Sequence, residues 1–280
     1  MFDPIAALAD YVSCGDVLVL SGAGISTDSG IPDYRGVNGS LRRYTPMTFQ
    51  TFVSDDAARR RYWARSHLGW RHITGARPND GHRAVAELQR RGVLAGVITQ
   101  NVDGLHTAAG SPGVLELHGN LARVMCLDCG ARSPRAALDA RLRAINRTWD
   151  AQVRTVNPDG DVSVDDEVVA RFRIVDCDSC GGVLKPDVVF FGENVPRPRV
   201  DAAYALVERA GSILVLGSSL TVMSGLRFVR RAAELGVPVA IVNKGETRGD
   251  PLATVRLDAA LGATLSSLVQ LVGAPLASAG

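Results

Sequence analysis

The sequence predicts an α/β protein with a Rossmann-like, doubly wound parallel sheet and two insertions. Short apolar runs, which are typical of parallel strands covered on both faces, alternate with segments of helical periodicity. The apolar runs lie at residues 16–20, 93–99, 212–216 and 237–242. The helical segments lie at residues 4–12, 81–91, 199–210, 224–235 and 261–272. Because the two kinds of segment alternate, we expect right-handed crossovers between parallel strands.

Two segments interrupt this alternation. Residues 36–78 are polar and rich in arginine and aromatic residues, with a helical pattern at residues 59–65. Residues 120–185 contain four of the five cysteines. We expect a helical insertion with a ligand-binding loop in the first segment and a small cysteine-rich module in the second. The remaining residues, 1–35, 79–119 and 186–280, are expected to form the domain built on the parallel sheet.

The composition excludes several classes of protein. Of the 280 residues, 46% are hydrophobic and 21% are charged, a balance typical of globular chains rather than disordered ones. The 31 basic and 29 acidic residues leave a net charge of +2, which favours neither nucleic acid nor a membrane surface. No apolar run approaches the roughly 18 residues of a transmembrane helix, and the first residues do not resemble a signal peptide. We therefore expect a cytoplasmic protein.

Small and polar residues follow the first two predicted strands. Gly22, Ala23 and Gly24 follow the first strand, and such a turn lets a pyrophosphate approach the backbone, although plain tight turns also contain Gly-x-Gly. Residues 100–103, Gln-Asn-Val-Asp, follow the second strand at the end where α/β folds place ligands, although they could also cap a helix. Both positions indicate a ligand site at the carboxyl edge of the sheet.

The cysteines form two Cys-x-x-Cys pairs, Cys126 with Cys129 and Cys177 with Cys180. Four thiolates at this spacing can close a tetrahedral zinc site, and no position would then remain for a substrate water. The sequence therefore predicts a zinc-binding module with one structural Zn²⁺. The alternative is a pair of redox dithiols or free thiols. The fifth cysteine, Cys14, is expected to be a small buried hydrophobic residue.

Several ordered motifs, from about residue 15 to 272, resemble those of the sirtuins, the NAD-dependent protein deacylases. The longest is GAGISTDSGIPDYRG at residues 22–36, in which Tyr34 replaces the usual Phe. The others are TQNVD at 99–103, LHG at 117–119, FGE at 191–193, GSS at 217–219, Asn243 and the paired cysteines. RYWAR at 61–65, QNVDGLH at 100–106 and KPDVVFFG at 185–192 are similar to the class II branch. The expectation is a bacterial-type member of that branch.

The resemblance implies a role for each matching residue. His118 would be the catalytic base, because a neutral imidazole can accept a proton at neutral pH. Asn101 would orient the nicotinamide ribose and a water, and Asp103 would accept a hydrogen bond from the carboxamide. The implied NAD-binding residues are Gly22, Ala23, Gly24, Ile31, Pro32, Asp33, Tyr34, Arg35, Gln100, Asn101, Val102, Asp103, Gly217, Ser218, Ser219, Asn243, Lys244, Gly245 and Leu261.

The sequence motifs that would contact the peptide substrate are less specific than those for NAD. By resemblance, a peptide would add as an extended strand near Phe191, Gly192 and Glu193. Tyr62 and Arg65 share a helix face and could bind the carboxylate of an acidic acyl group, as a similar Tyr-x-x-Arg does in some sirtuins. A solvated basic face is the alternative, since arginines crowd this segment. The family often has Pro where this chain has Ser224, so the rigidity of that loop is not predicted.

The reaction that the resemblance implies uses NAD as a co-substrate. An acyl-lysine of a protein or peptide would lose its acyl group, with release of nicotinamide and O-acyl-ADP-ribose. Two alternatives use the same nucleotide site: mono-ADP-ribosyl transfer to a protein side chain, and NAD sensing without catalysis. The protein is expected to be a monomer.

Overall fold

The structure is a computed structural model that describes residues 4–35, 45–149, 151, 157, 162 and 164–272. Residues 36–44 of the predicted helical insertion lie outside this range. The strands within the described part of the chain are β1 Val17–Ser21, β2 Leu94–Thr99, β3 Leu115–Glu116, β4 Gly119–Cys126, β5 Arg132–Pro134, β6 Leu184–Val188, β7 Ser212–Leu216, β8 Val239–Val242 and β9 Val255–Leu257. All four predicted strands are confirmed.

Five of the predicted helices are confirmed with ends that differ by at most two residues, and the helical pattern at residues 59–65 lies within a longer helix. The helices among the described residues are α1 Pro4–Ser13, α2 Phe49–Ser54, α3 Asp56–Gly75, α4 Asp80–Arg90, α5 Leu105–Ala108, α6 Arg135–Ile145, α7 Asp166–Ala170, α8 Arg197–Arg209, α9 Met223–Glu234 and α10 Leu261–Leu271. Side chains mark several starts, since Asp55 caps α3 and Asn79 forms a capping box with His82 at α4. None of these helices is long and apolar enough to cross a membrane.

Six strands form one parallel sheet in the order β3-β2-β1-β7-β8-β9. Numbered along the chain within this sheet, the order is 3-2-1-4-5-6, the arrangement of the doubly wound Rossmann fold. The chain reverses direction across the sheet between β1 and β7. This strand order confirms the fold class predicted from the sequence. In such folds ligands bind outside the carboxyl ends of the strands at this switch point.

The apolar composition of the strands follows from their burial on both faces. Every residue of β1 and β7 is buried. One face packs against α1, α4 and α10, and the opposite face packs against α8 and α9. Parallel strands covered in this way need apolar residues at every position, because neither face meets water.

A second, three-stranded antiparallel sheet has the order β5-β4-β6. It shares a hydrophobic core with α3 and α6. Within this core the indole nitrogen of Trp63 donates to the carbonyl of Leu184, and the buried guanidinium of Arg135 lies over the rings of Trp63 and Trp70. The division of the chain into a parallel-sheet domain, a helical insertion and a cysteine module stays a prediction.

Candidate active site

A cavity of about 600 Å³ opens at the carboxyl ends of β1, β2, β7 and β8. Its volume lies within the range of small-molecule sites. The predicted site residues that line it are Gly22, Ala23, Gly24, Ile31, Asp33, Tyr34, Arg35, Tyr62, Gln100, Asn101, Val102, Asp103, His118, Phe191, Gly192, Glu193, Gly217, Ser218, Ser219, Asn243, Lys244 and Gly245. The fold thus brings together residues that are more than 200 positions apart in the sequence.

Three predicted residues, Pro32, Arg65 and Leu261, are not among the described residues that line the cavity. Leu261 is buried in the apolar core under β1 and β7. Its Cδ1 atom would lie 2.7 Å from a Cβ at Gly217, so it packs behind the glycine turn. Pro32 and Arg65 are both partly exposed. A role in ligand binding for these three residues stays a prediction.

The glycines after β1 allow a close approach to the end of β7. A Cβ atom at Gly22 would lie 2.8 Å from the Cβ of Ser218, and one at Gly24 would lie 2.9 Å from the Cα of Gly217. The amides of Gly22 and Gly24 donate to the carbonyls of Leu216 and Gly217. These two amides therefore join the strand ends, and small residues are required there because a larger side chain would push the strands apart.

The polar residues after β2 are held by a serine of the glycine-rich motif. The Ser26 hydroxyl donates to Asp103 Oδ2 at 2.7 Å and lies 3.0 Å from Asn101 Nδ2, which donates to it. Asp103 Oδ1 accepts from the Leu105 amide. Burial raises the pKa of Asp103, although these hydrogen bonds act in the opposite direction. The amide and carboxyl groups are thus oriented before any ligand binds.

His118 lies between β3 and β4 with a partner on each ring nitrogen. Its Nδ1 is 2.9 Å from the carbonyl oxygen of Gln100, and its Nε2 is 2.9 Å from the hydroxyl oxygen of Ser224. Burial lowers the pKa of His118 to about 4, the Gln100 carbonyl raises it and the charge of Arg199 lowers it. The imidazole is therefore neutral at physiological pH and can act as a base.

Two further histidines lie behind the cavity wall. The rings of His82 and His106 are 5.0 Å apart, and both are buried. His106 Nε2 lies 2.9 Å from the Ser21 hydroxyl, and His82 Nε2 lies 3.4 Å from that of Ser26. Burial lowers the pKa of His82 to about 3 and that of His106 to about 4. The His82 side chain also takes part in the capping box that begins α4.

The loop after β6 is fixed by a buried ion pair. The Lys185 ammonium, 1% exposed, donates to the Val188 carbonyl at 2.5 Å and to Glu193 Oε2 at 3.2 Å. Glu193 Oε2 also accepts from the Phe190 amide. Next to it, the ring of Phe191 contacts that of Tyr34 edge to face. These contacts hold the 190–193 loop against the cavity.

Tyr62 and Arg65 differ in their surroundings. Tyr62 lines the cavity, is 3% exposed and packs edge to face on Phe52 and Trp63. Arg65, one helical turn later, is not among the described lining residues. The structure therefore does not bring the two side chains to the cavity together.

Sequence reasoning assigned no role at this site to Ser26 or Ser224, and it did not consider Arg227, although all three line the cavity. Ser26 lies inside the glycine-rich motif, and this position could have marked it as a site residue. Ser224 was noted only as a departure from proline. Its contact with His118 depends on the packing of α9 against the end of β2, which no local pattern reveals.

The four predicted cysteine ligands meet at the ends of β4 and β6. Their Sγ atoms all lie within 4.8 Å of one another. Contacts join the two motifs, with Cys126 Sγ 3.5 Å from Cys180 Sγ and Cys129 Sγ 3.8 Å from Cys177 Sγ. Ligands at about 2.3 Å from a tetrahedral zinc would be about 3.8 Å apart, so the cluster fits this metal. Cys14 is exposed, so the prediction that it is buried was wrong.

Sequence comparison identifies related proteins over nearly the whole chain. Residues 22–224 match the Sir2 family. The chain is 62% identical over 269 residues to NAD-dependent protein deacetylase 1 of Streptomyces coelicolor, which covers 96% of this chain and 90% of that protein. It is 56% identical over 247 residues to NAD-dependent protein deacetylase 1 of Mycobacterium avium, with 86% of each chain covered.

The fold is also similar to solved structures. A structure of Sir2 with a p53 peptide and NAD⁺ is 30% identical, has a TM-score of 0.74 and covers 95% of this chain and 97% of its own. A Sir2 homologue with ADP-ribose is 32% identical, has a TM-score of 0.75 and covers 95% of both chains. With the sequence match over residues 22–224, these similarities show that the chain belongs to the Sir2 family, the sirtuins.

Proposed function

We propose that this protein is an NAD-dependent protein-lysine deacylase that releases nicotinamide and O-acyl-ADP-ribose. The observation that supports it best is the neutral imidazole of His118, which lines the same cavity as Asn101 and Asp103. Relatives named as NAD-dependent protein deacetylases and solved Sir2 complexes with NAD⁺ and peptide support the same activity.

The cavity offers a group for each requirement of NAD binding. Gly22, Gly24 and Gly217 line the cavity, where the pyrophosphate would lie beside their backbone, and Arg35 supplies a cation at the same cavity. Asn243 and Lys244 follow β8 and would contact the adenosine side. Asp103, fixed by Ser26, would accept a hydrogen bond from the carboxamide. The role of each residue is part of the proposal.

His118 would remove a proton from a ribose hydroxyl of the substrate. The Gln100 carbonyl accepts only, so the proton of the neutral ring resides on Nδ1 and the lone pair on Nε2. Once the acyl oxygen has bonded to the anomeric carbon and nicotinamide has left, that lone pair would take the hydroxyl proton. The ribose oxygen would then attack the acyl carbon, and water would complete the transfer and free the lysine amine. Asn101 would orient the ribose, since it is held by the Gly22 carbonyl and by Ser26.

One structural Zn²⁺ would be held by Cys126, Cys129, Cys177 and Cys180. All four sulfur atoms lie within 4.8 Å of one another, across the two motifs as well as within them, which favours one metal over two separate dithiols. The turns are built alike, because the Gly130 and Gly181 amides donate to the Cys126 and Cys177 carbonyls. Bound zinc would join β4 to β6, and four protein ligands would leave no position for substrate.

The acyl group is proposed to be uncharged. Tyr62 reaches the cavity among aromatic rings, whereas Arg65 is not among the described lining residues. Replacing Arg65 by Met should change the turnover of acetyl- and succinyl-lysine peptides to the same degree. Arg71→Met, an exposed position on the same helix, is the matched control. Selective loss of acidic acyl turnover in the Arg65 variant would contradict this preference.

The test of the activity is a panel of acetyl-, lipoyl-, succinyl-, glutaryl- and methylglutaryl-lysine peptides incubated with NAD and analysed by mass spectrometry. We expect free lysine and O-acyl-ADP-ribose in equal amounts. A protein that gains ADP-ribose, with the peptides unchanged, would instead support the transferase alternative. NAD that is unchanged after long incubation would support a sensor.

Finer features belong to the same proposal. The motifs at residues 61–65, 100–106 and 185–192 favour the class II branch in a bacterial-type member, and the named relatives are bacterial. We propose a cytoplasmic monomer that binds acyl-lysine peptides and neither nucleic acid nor membranes. Sedimentation of the purified protein would test the monomer.

A further inference from the structure

Three elements converge on His118, two of them on its imidazole and one on its backbone carbonyl. The end of β2 supplies the Gln100 carbonyl at Nδ1, and the start of α9 supplies the Ser224 hydroxyl at Nε2. The third is the loop after β6, where the Val189 amide donates to the His118 carbonyl at 2.8 Å. Both ring nitrogens and the backbone of this residue are therefore held by the protein.

The donors and acceptors settle the direction of these hydrogen bonds. A carbonyl oxygen can only accept, so Nδ1 must carry a proton. In the neutral imidazole Nε2 is then unprotonated and can only accept, which makes the Ser224 hydroxyl the donor. A hydrogen bond to the lone pair of Nε2 stabilises the neutral ring, because the protonated ring has no lone pair there.

The backbone around Ser224 brings its hydroxyl to the histidine. Ser224 is the second residue of α9, and Gly225 follows it. A Cβ atom at Gly225 would lie 2.6 Å from the Gln100 side-chain oxygen, so a glycine lets the start of the helix approach the end of β2. Proline is tolerated in the first turn of a helix but offers no hydroxyl. The hydrogen bond therefore depends on serine at a position where many sirtuins have proline.

We propose that Ser224 is a positioning residue for the catalytic base: in the free enzyme its hydroxyl holds Nε2 of His118 and keeps the ring oriented in the neutral Nδ1–H tautomer, and the substrate hydroxyl replaces it at Nε2 when the reaction begins. The proposal deepens the proposed function, on which it rests, because it assigns a residue that controls the base of that reaction. The proposed role of Ser224 depends on neither the glycine-rich turn nor the zinc cluster.

The charged groups near the ring set the background for a pH test. Arg199 on α8 acts on His118 and disfavours its protonation. Arg227 on α9 and Asp103 and Glu193 on loops line the same cavity. Serine variants leave all four groups in place, so a change in pH dependence would report the lost hydroxyl.

The experiment compares Ser224→Ala and Ser224→Pro, which lack the hydroxyl, with Ser224→Thr, which keeps one. Ser13→Ala, at the exposed end of α1, is the control. At pH 8 we expect kcat/KM for NAD to fall about 3- to 10-fold in the first two variants, the usual effect of one hydrogen bond. The Thr variant and the control should stay within about twofold of the wild type.

The pH profile separates positioning from a purely structural role. Without the donor at Nε2 the pKa of His118 should rise, so the acidic limb of kcat/KM should move up by about half to one pH unit. The ratio of wild-type to Ser224→Ala activity should therefore increase between pH 8 and pH 5. A constant ratio, or equal losses in the Ala and Thr variants with a lower Tm, would overturn the proposal.

A spectroscopic readout tests the contact without turnover. In ¹⁵N-histidine-labelled protein, assigned with His118→Ala, the Nε2 resonance of His118 should shift towards that of a free acceptor nitrogen in Ser224→Ala and not in Ser224→Thr. An unchanged resonance would refute the contact even if the enzyme is active. If the wild type instead makes no O-acyl-ADP-ribose, the proposed function fails, while the resonance still decides the role of Ser224.

Discussion

The cavity of the parallel sheet and the cysteine cluster of the antiparallel sheet use their polar atoms in opposite ways. Around the cavity, protein partners hold groups such as His118 and Asp103 while these groups still line an open space of about 600 Å³. In the cluster, four sulfur atoms face one another within 4.8 Å. The first arrangement leaves oriented groups open to a ligand, and the second has the size and donor set to enclose a single ion.

This difference separates the residues that stabilise the fold from those that carry out the chemistry. The walls of the cavity are stabilised by the dry core under β1 and β7, whose residues need no ligand to pack. The turns of the cysteine cluster are short, and two of the four cysteines are exposed. We therefore expect damage to the cluster to reduce folding and damage to the cavity to reduce catalysis alone.

The largest effect should follow loss of the metal. Replacing Cys129 by Ser, or adding a strong chelator, should remove zinc and unfold the module, because structural zinc contributes on the order of 10 kcal/mol to small metal-bound domains. Zinc content and Tm are the measurements. Cys14→Ser, which changes the exposed cysteine outside the cluster, should alter neither. Wild-type protein that binds no zinc when zinc is supplied, and keeps its full Tm, would show that the cluster is not a metal site.

Replacing His118 by Ala tests the cavity, as loss of zinc tests the cysteine cluster. Loss of a general base typically lowers the rate about 10²- to 10⁴-fold. We expect kcat to fall within this range while the Kd for NAD, the zinc content and the Tm stay close to the wild type. If the variant instead loses its fold, the histidine is a structural residue, and the separation between chemistry and stability fails.

Adding a single methyl group at Gly119, where the two regions meet, should lower the free energy of unfolding. Gly119 has φ +87° at the start of β4, and a Cβ atom there would overlap the Asp187 carbonyl oxygen. Gly119→Ala should cost about 2–4 kcal/mol through overlap and backbone strain. Urea unfolding gives the value. Gly113→Ala is the control, because φ is +61° there but the described residues leave its Cβ position open.

The smallest effect concerns pH. Burial lowers the folded-state pKa of His106 to about 4, whereas an unfolded histidine titrates near 6.5. The unfolded chain therefore binds more protons below pH 6.5, and stability falls as the pH decreases from 6.5 towards 4. At pH 5 one such histidine lowers the free energy of unfolding by about 2 kcal/mol.

His106→Asn should remove that part of the pH dependence, and the free energy of unfolding at pH 7 and pH 5 measures it. Thr107→Ala, a neutral exposed position next to His106, is the control and should leave the slope unchanged. An unaltered slope in the His106 variant would show that its imidazole is accessible to protons in the folded state.

The sequence was most informative where a local pattern determines structure. Continuous apolar runs predicted β1, β2, β7 and β8, because only strands covered on both faces need such composition. The cysteine spacing predicted a four-ligand set, and the sulfur atoms do converge. Cys14 was misplaced, since the residue type suggests burial but its helix face is exposed.

The sequence by itself determined the fold class and the cysteine set, and it indicated the carboxyl edge of the sheet, where the cavity lies, because strand burial and ligand spacing are local properties. Only the tertiary structure decided which side chains meet. It placed Ser224 on His118 across 106 positions, joined Ser26 to Asp103 and left Arg65 off the described cavity lining. Such contacts depend on how helices pack on the sheet, and packing is set by the whole core at once.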